Sequence, residues 1–389
     1  MFWLSGSLVA VGVRHPVGWT SSPVKLPRHA EIWLPGYLKD RLGRSLYRQR
    51  VRRLWVMLAD HFEPYWHNQD HQLAWERVWR WRQRWPQIAA RHQDSRGAPP
   101  KYCFFYPIEE YRPELLDLLA EMVHQGVADV EVHLHHDRDS REGFLSRVGA
   151  FLETLHQRHG LLRKVGGRIV FGFIHGNWTL DNSHPQGQWC GLNDELSLLK
   201  QLGCYADFTM PCGPLPMQAR LVNTIYWALD DPARPKSYDT GIPVRAGRQS
   251  QGDLLMIPGP LGLRWAGRLA PRMETGELAH YDPPSFYRAR RWAALSPQIR
   301  EDRFLKLYTH GAQEKNSALL LGEGLDRLFE ALRAECRRRG WELRYVTAWQ
   351  MRQAVEAAVG RPAISEPETE AGASPGAEGD VGLRHRDRL

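Results

Sequence analysis

The sequence predicts an α/β fold, a distorted (β/α) barrel of seven or eight mostly parallel strands. Between Arg52 and Gly360, short β-branched or aromatic runs alternate with amphipathic helical patterns. Most of the strand-like runs are followed by a helix pattern, and no internal repeat is present. In a parallel barrel of this kind the chemistry lies at the carboxyl ends of the strands.

The fold prediction rests on eight predicted strands and on boundary signals for four helices. The predicted strands are Leu54 to Ala59, Tyr102 to Tyr106, Val130 to Leu134, Ile169 to Ile174, Ala206 to Met210, Leu254 to Ile257, Phe304 to Thr309 and Leu343 to Val346. The helix signals are Pro113 before Leu115 to Val123, Asp139 with Glu142 before Phe144 to Leu155, Asn193 and Gly203 around Glu195 to Leu202, and Thr347 and Gly360 around the last helix.

The chain divides into an N-terminal extension (1–50), the barrel domain (51–360) and a C-terminal tail (361–389). The tail is rich in Pro, Glu, Ala, Gly and Ser, a composition that predicts disorder. The apolar opening, Met1 to Val13, is shorter than the ~20 residues that span a bilayer. We interpret it as a leader or a mis-assigned start, with a signal sequence as the alternative.

Composition places the chain among ordinary globular proteins. Of its 389 residues, 42% are hydrophobic and 25% charged, and the formal net charge is +8. This charge would suit an acidic polysaccharide, but the basic residues are dispersed and no known nucleic-acid-binding motif appears, so no nucleic-acid partner is expected. Five cysteines without a CxxC pair indicate neither a disulfide framework nor a cysteine zinc site, and favour a reducing, cytoplasmic compartment.

Residues that can bind metal follow four of the predicted strands, and these ends converge on one face of a parallel barrel. They are Asp60 and His61 after the first strand, His133, His135, His136 and Asp137 at the third, His175 at the fourth and His310 at the seventh. The alternation of side chains along a strand puts His133 and His135 on one face. Two imidazoles on one face favour a zinc-like ion, the alternative being hydrogen-bonded structural histidines.

Three further interpretations concern catalysis and binding. Asp60 could take a proton from a metal-bound water, or simply serve as a turn residue. His310, followed by Gly311, would suit a general acid. After the fourth strand, four specific polar or aromatic side chains resemble a substrate-binding loop more than a connector: His175, Asn177, Trp178 and Asp181.

The order of these motifs from Leu54 to Thr347 resembles the polysaccharide deacetylase superfamily. The resemblance implies a barrel of about seven strands. It also implies Asp60 as base, His61 at the metal-ligating acid position, His133 with His135 or His136 as the histidine pair, and His310 as acid. The sequence departs from the family's pattern in three places: His61 stands where the family has Asp, one residue separates the histidines, and Phe62-Glu63-Pro64 replaces a glycine.

The resemblance implies a zinc-dependent hydrolase that removes N-acetyl groups from a polysaccharide or oligosaccharide, releasing acetate. Two other classes stay open. A glycoside hydrolase would need two carboxylates about 5–9.5 Å apart, for which Asp60 with Glu63, Asp137 or Asp181 are available. A non-catalytic glycan-binding protein of polysaccharide assembly would tolerate the loss of Asp60 and His310.

Overall fold

The structure, a computed structural model, describes residues 26–46, 49–248, 251–266 and 270–360. The predictions for Met1 to Val13 and for the tail 361–389 lie outside these ranges. The strands are β1 (Arg53–His61), β2 (Tyr102–Pro107), β3 (Ala128–Leu134), β4 (Arg163–Val165), β5 (Arg168–His175), β6 (Cys204–Asp207), β7 (Tyr226–Ala228), β8 (Gly241–Pro243), β9 (Leu254–Met256), β10 (Gly262–Ala266), β11 (Ala270–Glu274), β12 (Gln298–Ile299), β13 (Asp302–Thr309) and β14 (Glu342–Tyr345). The helices are α1 (Ala30–Leu46), α2 (His71–Ala90), α3 (Pro113–His124), α4 (Arg141–Gln157), α5 (Glu195–Leu202), α6 (Phe286–Leu295), α7 (Glu314–Leu319), α8 (Leu325–Arg339) and α9 (Ala348–Val359).

One large sheet organises the fold, in the strand order β12-β13-β1-β2-β3-β5-β6-β9-β7-β8. Every neighbouring pair from β13 to β9 is parallel, and β14 also runs parallel to β1. Antiparallel pairing is confined to the additions β12, β4, β7 and β8 and to the separate hairpin β10-β11. The fold is therefore mixed α/β with a mostly parallel central sheet.

Both faces of the sheet are buried, which explains the nearly continuous apolar strands. In β1, Leu54, Val56 and Leu58 join the core shared with α2, α3, α4 and α8. Met57 and Ala59 face a second core, to which α9 contributes. All eight predicted strands are present, whereas the six that the sequence did not reveal have five residues or fewer and little periodicity of their own.

Helix boundaries were predicted with mixed success. Pro113 lies in the first turn of α3 and Thr347 forms a capping box at α9, as expected. The cap of α4 is Ser140 rather than Asp139, because the Asp139 carboxylate bonds with the His136 ring. For α5 the residue at the cap position is Asp194 rather than the predicted Asn193.

The described part of the N-terminal extension contacts the rest of the fold. Trp33 and Tyr37 of α1 are buried against Val222 and Leu295. The Arg44 guanidinium donates a hydrogen bond of 3.0 Å to the carbonyl of Ser296. These contacts fasten α1 beside the end of α6. No helix of the described residues has the length and apolar character needed to cross a membrane.

Candidate metal centres at the strand ends

The carboxyl ends of β13, β1, β3 and β5 lie along one edge of the sheet, with only β2 between β1 and β3. The predicted histidines follow these ends, but they form two separate groups instead of one. We call Glu63, His133 and His135 the open cluster, and His136, Cys190, His175 and Glu195 the closed cluster. In each group the candidate ligand atoms lie within 4.8 Å of one another.

The open cluster is centred on one carboxylate oxygen. Glu63 Oε1 lies 3.3 Å from the Nε2 atom of His133 and 3.3 Å from the Nε2 atom of His135. The side chain of His133 is fully buried, while that of His135 is 31% exposed. A small ligand could therefore reach this cluster from solvent along the His135 side.

The hydrogen bonds of the two rings define where their protons lie. His133 Nδ1 donates to the carbonyl of Ile174 at 2.8 Å, and His135 Nδ1 donates to Glu109 Oε1 at 2.5 Å. Since both of these partners only accept, each ring in its neutral form presents a lone pair at Nε2. Three acceptors then converge between Glu63 and the rings, an arrangement that requires a cation, either a proton or a metal ion.

The electrostatics of the open cluster agree with this need for positive charge. Burial would raise the pKa of Glu63, but the hydrogen bonds from His133 and His135 outweigh it and hold that pKa well below its usual range. Burial likewise opposes charge on His135, yet the contacts with Glu109 and Glu63 raise its pKa to about 10. The second oxygen, Glu63 Oε2, is buried with no hydrogen-bond partner among the described residues. The residues therefore fit a bound cation.

His61 and His310 stand beside the open cluster. The His61 ring centroid lies 5.2 Å from that of His133 and 4.8 Å from that of His310. Burial lowers the pKa of both His61 and His310. Trp178 contacts both rings at 5.7 and 5.8 Å, and Trp66 approaches His310 at 6.4 Å. The cluster therefore opens between neutral imidazoles and aromatic rings.

Asp60 is not part of this arrangement. Because β1 continues through His61, the side chains of Asp60 and His61 point to opposite faces of the sheet. The Asp60 carboxylate accepts hydrogen bonds from the Gly311 amide at 2.7 Å and the Tyr102 hydroxyl at 2.8 Å. Burial raises its pKa to about 7. The two hydrogen bonds of Asp60 connect the end of β1 to β2 and to the chain that follows β13.

The closed cluster is buried throughout. His136 Nε2 lies 2.8 Å from His175 Nε2 and 3.2 Å from Glu195 Oε1. His175 Nε2 is 3.4 Å from the same Glu195 oxygen, and Cys190 Sγ is 3.4 Å from the other. A buried group of two imidazoles, a thiol and a carboxylate can hold a metal ion.

The four residues of the predicted substrate-binding loop lie in different surroundings. His175 is completely buried in the closed cluster and Asp181 is bonded to Ser237, so neither presents its side chain to a substrate. Asn177 is exposed. Trp178 is the one member that the structure places beside His61 and His310. Of the predicted metal ligands, His133 and His135 stay together, His136 belongs to the other cluster, and the Nε2 atom of His61 has no hydrogen-bond partner among the described residues.

The sequence did not reveal three of the candidate ligands. Glu63 was considered only as a glycosidase carboxylate, although it follows the end of β1 by two residues. Cys190 and Glu195 were not considered as ligands, because the absence of a CxxC pair argued against a cysteine site. No periodicity marks these two residues, since they lie in the connection after β5 and at the start of α5.

The comparisons with known proteins leave the family open. A scan against protein-family models finds no match, and a search of curated proteins finds no significant match either.

Proposed function

We propose that this chain is a metal-dependent, carbohydrate-active hydrolase that removes N-acetyl groups from a polysaccharide or oligosaccharide, with its active centre at the open cluster. The observation that carries the proposal is the convergence of His133 Nε2 and His135 Nε2 on Glu63 Oε1, each at 3.3 Å, at a partly exposed strand end. Catalytic metal sites use three protein ligands of these types and leave a position for water or substrate.

Glu63, His133 and His135 would hold the ion, and two imidazoles with one carboxylate favour zinc among common divalent metals. When bound, such an ion lowers the pKa of water and polarises a carbonyl oxygen. Glu109 orients His135 through Nδ1, and the carbonyl of Ile174 orients His133. These outer hydrogen bonds keep both Nε2 lone pairs directed at the centre.

We assign the proton transfer to His310. Its pKa is lowered by burial, so the ring is neutral near pH 7 and can accept the proton of the attacking water. The same ring then returns that proton to the nitrogen of the amino sugar as the amide bond breaks. Asp60 cannot readily do this, because both of its oxygens already accept hydrogen bonds. Asp60 instead positions the chain next to His310.

Aromatic rings support a sugar as substrate. Trp66 is 37% exposed and Trp178 is half-buried, and both lie within 6.4 Å of the His310 ring. Indole faces provide large, rigid apolar surfaces beside a polar centre. A glycoside hydrolase activity is less well supported. Asp60 and Asp181 are buried and accept hydrogen bonds from Gly311 and Ser237, and Asp137 accepts one from the Trp189 amide.

We further propose that the sheet closes into the distorted barrel that the sequence predicts. Lys306 of β13 donates from Nζ to the carbonyl of Met210, 3.0 Å away, beyond the end of β6. β13 and β6 are five positions apart in the strand order, so the contact supports strong curvature of the sheet. Tyr308 adds an isolated parallel bridge to Glu277 on the same side.

The test is to incubate zinc-reconstituted protein with N-acetylglucosamine oligomers and acetylated polysaccharides, and to measure released acetate and released reducing ends separately. We expect acetate without reducing ends from the wild type, and its loss in His133→Ala and His310→Gln. His124→Ala, at the exposed C-terminal end of α3, is the matched control and should retain activity. Reducing ends without acetate would replace the proposal with a glycosidase, and glycan binding without either product would indicate a binding protein.

A further inference from the structure

We propose that the closed cluster is a second, structural zinc site, in which His136, His175, Cys190 and Glu195 fasten the connection between β5 and α5 beside the open cluster. This inference goes beyond the hydrolase activity, and it does not depend on it. The two sites differ in accessibility. Side chains of the closed cluster are at most 1% exposed, against 31% for His135 in the open cluster.

The two imidazole rings of the closed cluster direct their Nε2 atoms toward each other. His136 Nδ1 donates to Asp139 Oδ2 at 3.0 Å, and His175 Nδ1 donates to the carbonyl of Gly176 at 2.5 Å. Both partners only accept, so each ring in its neutral form directs a lone pair from Nε2. These lone pairs face each other across 2.8 Å, with Glu195 Oε1 3.2 and 3.4 Å away. Such a contact is repulsive unless a proton or a metal ion lies between the atoms.

Cys190 completes the set from the opposite side. Its thiol donates a hydrogen bond to Glu195 Oε2 at 3.4 Å, and its sulfur accepts hydrogen bonds from the backbone amides of Asn182 at 3.2 Å and Leu192 at 3.5 Å. Burial and the neighbouring Glu195 carboxylate raise the pKa of the Cys190 thiol, and the two backbone donors oppose this only in part. The thiolate is the form that would bind a metal ion. The other four cysteines belong to neither of the two clusters.

The spacing of the four residues suits zinc. A tetrahedral zinc ion with ligand distances of 2.0–2.3 Å separates its ligand atoms by roughly 3.3–3.7 Å. The contacts given above measure 2.8–3.4 Å, close to that range, and all four candidate ligand atoms lie within 4.8 Å of one another. Two nitrogens, one sulfur and one oxygen form a borderline set that selects zinc over magnesium or calcium. Four protein ligands with no exposed position are typical of a structural site.

The ligands come from parts of the fold that are distant in sequence. His136 follows β3, His175 ends β5, and Glu195 begins α5. Within the connection, Glu195 Oε2 accepts from the Asp181 amide at 2.7 Å, and the Thr179 hydroxyl donates to the carbonyl of Trp189 at 2.6 Å. The same connection carries Trp178 to the His61 and His310 rings. A metal here would fix the wall of the open cluster without contacting substrate.

The experiment uses full-length protein in which bound metal is exchanged for Co²⁺, followed by near-ultraviolet absorption. Thiolate-to-cobalt charge transfer gives a band that imidazole and carboxylate ligands do not give, so it reports Cys190 and is blind to the open cluster. We expect the band in the wild type, in His135→Ala and in the buried-cysteine control Cys336→Ser. We expect it to be lost in Cys190→Ser and weakened in the isosteric Glu195→Gln.

Absence of the band from cobalt-loaded wild type, or its persistence in Cys190→Ser, would overturn the second site. The wild-type spectrum decides the question even if Cys190→Ser does not fold. Loss of hydrolase activity in His135→Ala with the band retained would separate the two sites. An inactive wild type that still shows the band would contradict the proposed function alone.

Discussion

Asp60 Oδ1 accepts a hydrogen bond of 2.7 Å from the backbone amide of Gly311, which joins the end of β1 to the turn that follows β13. The carbonyl of Gly311 in turn accepts from Trp81 Nε1 at 2.9 Å. Both peptide groups of this turn are therefore fixed by buried side chains. His310, the residue immediately before, is positioned by the same contacts.

The first prediction separates positioning from proton transfer. Asp60→Asn preserves the shape of the side chain and an acceptor for the Gly311 amide, so we expect kcat to fall less than tenfold. His310→Gln removes the titratable group and should lower kcat by about 10²–10⁴. Steady-state acetate release, with metal content measured on the same samples, checks both. A loss in Asp60→Asn as large as that in His310→Gln would restore Asp60 as the base.

The second prediction concerns the close packing at Gly311. A Cβ atom there would collide with Asp60 Oδ2 and lie 2.7 Å from Trp81 Cζ2. Neither neighbour can move freely because both are buried, so Gly311→Ala should destabilise the fold by about 2–3 kcal/mol. In α4, Gly149→Ala meets only Leu202 at 4.0 Å and should stabilise by about 0.5–1 kcal/mol. Urea unfolding, followed by tryptophan fluorescence, measures the free energy of unfolding of both variants. Equal changes in the two variants would contradict the close packing at Gly311.

The third prediction concerns Trp66, one of the two tryptophans that lie beside His310. Trp66→Ala removes an exposed indole that touches no ligand of the open cluster, so we expect KM for acetylated oligosaccharides to rise about tenfold with little change in kcat. Trp79→Ala, which removes an equally exposed ring stacked on Trp75 in α2, is the control. An unchanged KM for Trp66→Ala would remove this residue from the substrate site.

The fourth prediction is a pH dependence at Lys306. Burial lowers the pKa of Lys306 to about 7, whereas an unfolded lysine titrates near 10.4. Between these values the unfolded chain binds more protons, so this group makes the protein more stable as pH rises. Relative to Lys306→Met, the wild-type free energy of unfolding should increase by on the order of 3 kcal/mol from pH 7 to 10. Denaturant titrations at several pH values measure this difference. If the difference in free energy of unfolding between the two proteins does not change with pH, Lys306 does not titrate between pH 7 and 10.

Much of the fold could be read from the sequence because its main strands are long and apolar. β1, β3 and β13 are buried along most of their length and carry a regular series of apolar residues, and a histidine lies at or just after the end of β1 and β13. The sequence did not predict β7 and β8, because a strand of three residues cannot show a periodic pattern. Their antiparallel pairing also depends on partners distant in sequence.

The site was predicted only in part, for two physical reasons. The alternation rule placed His133 and His135 together, but it could not show that the chain turns after His135 and carries His136 to a different group. Asp60 was misplaced because β1 extends two residues further than its apolar run. Cys190 and Glu195 join the histidines only through tertiary packing, which spacing along the chain does not encode.

Elemental analysis of purified, zinc-reconstituted protein will show whether the open cluster binds a divalent metal ion. We predict that His133→Ala and His135→Ala each carry about one divalent ion per chain fewer than the wild type and His124→Ala. Metal content that is unchanged by loss of either histidine would contradict the account and remove the basis for a metal-dependent hydrolase.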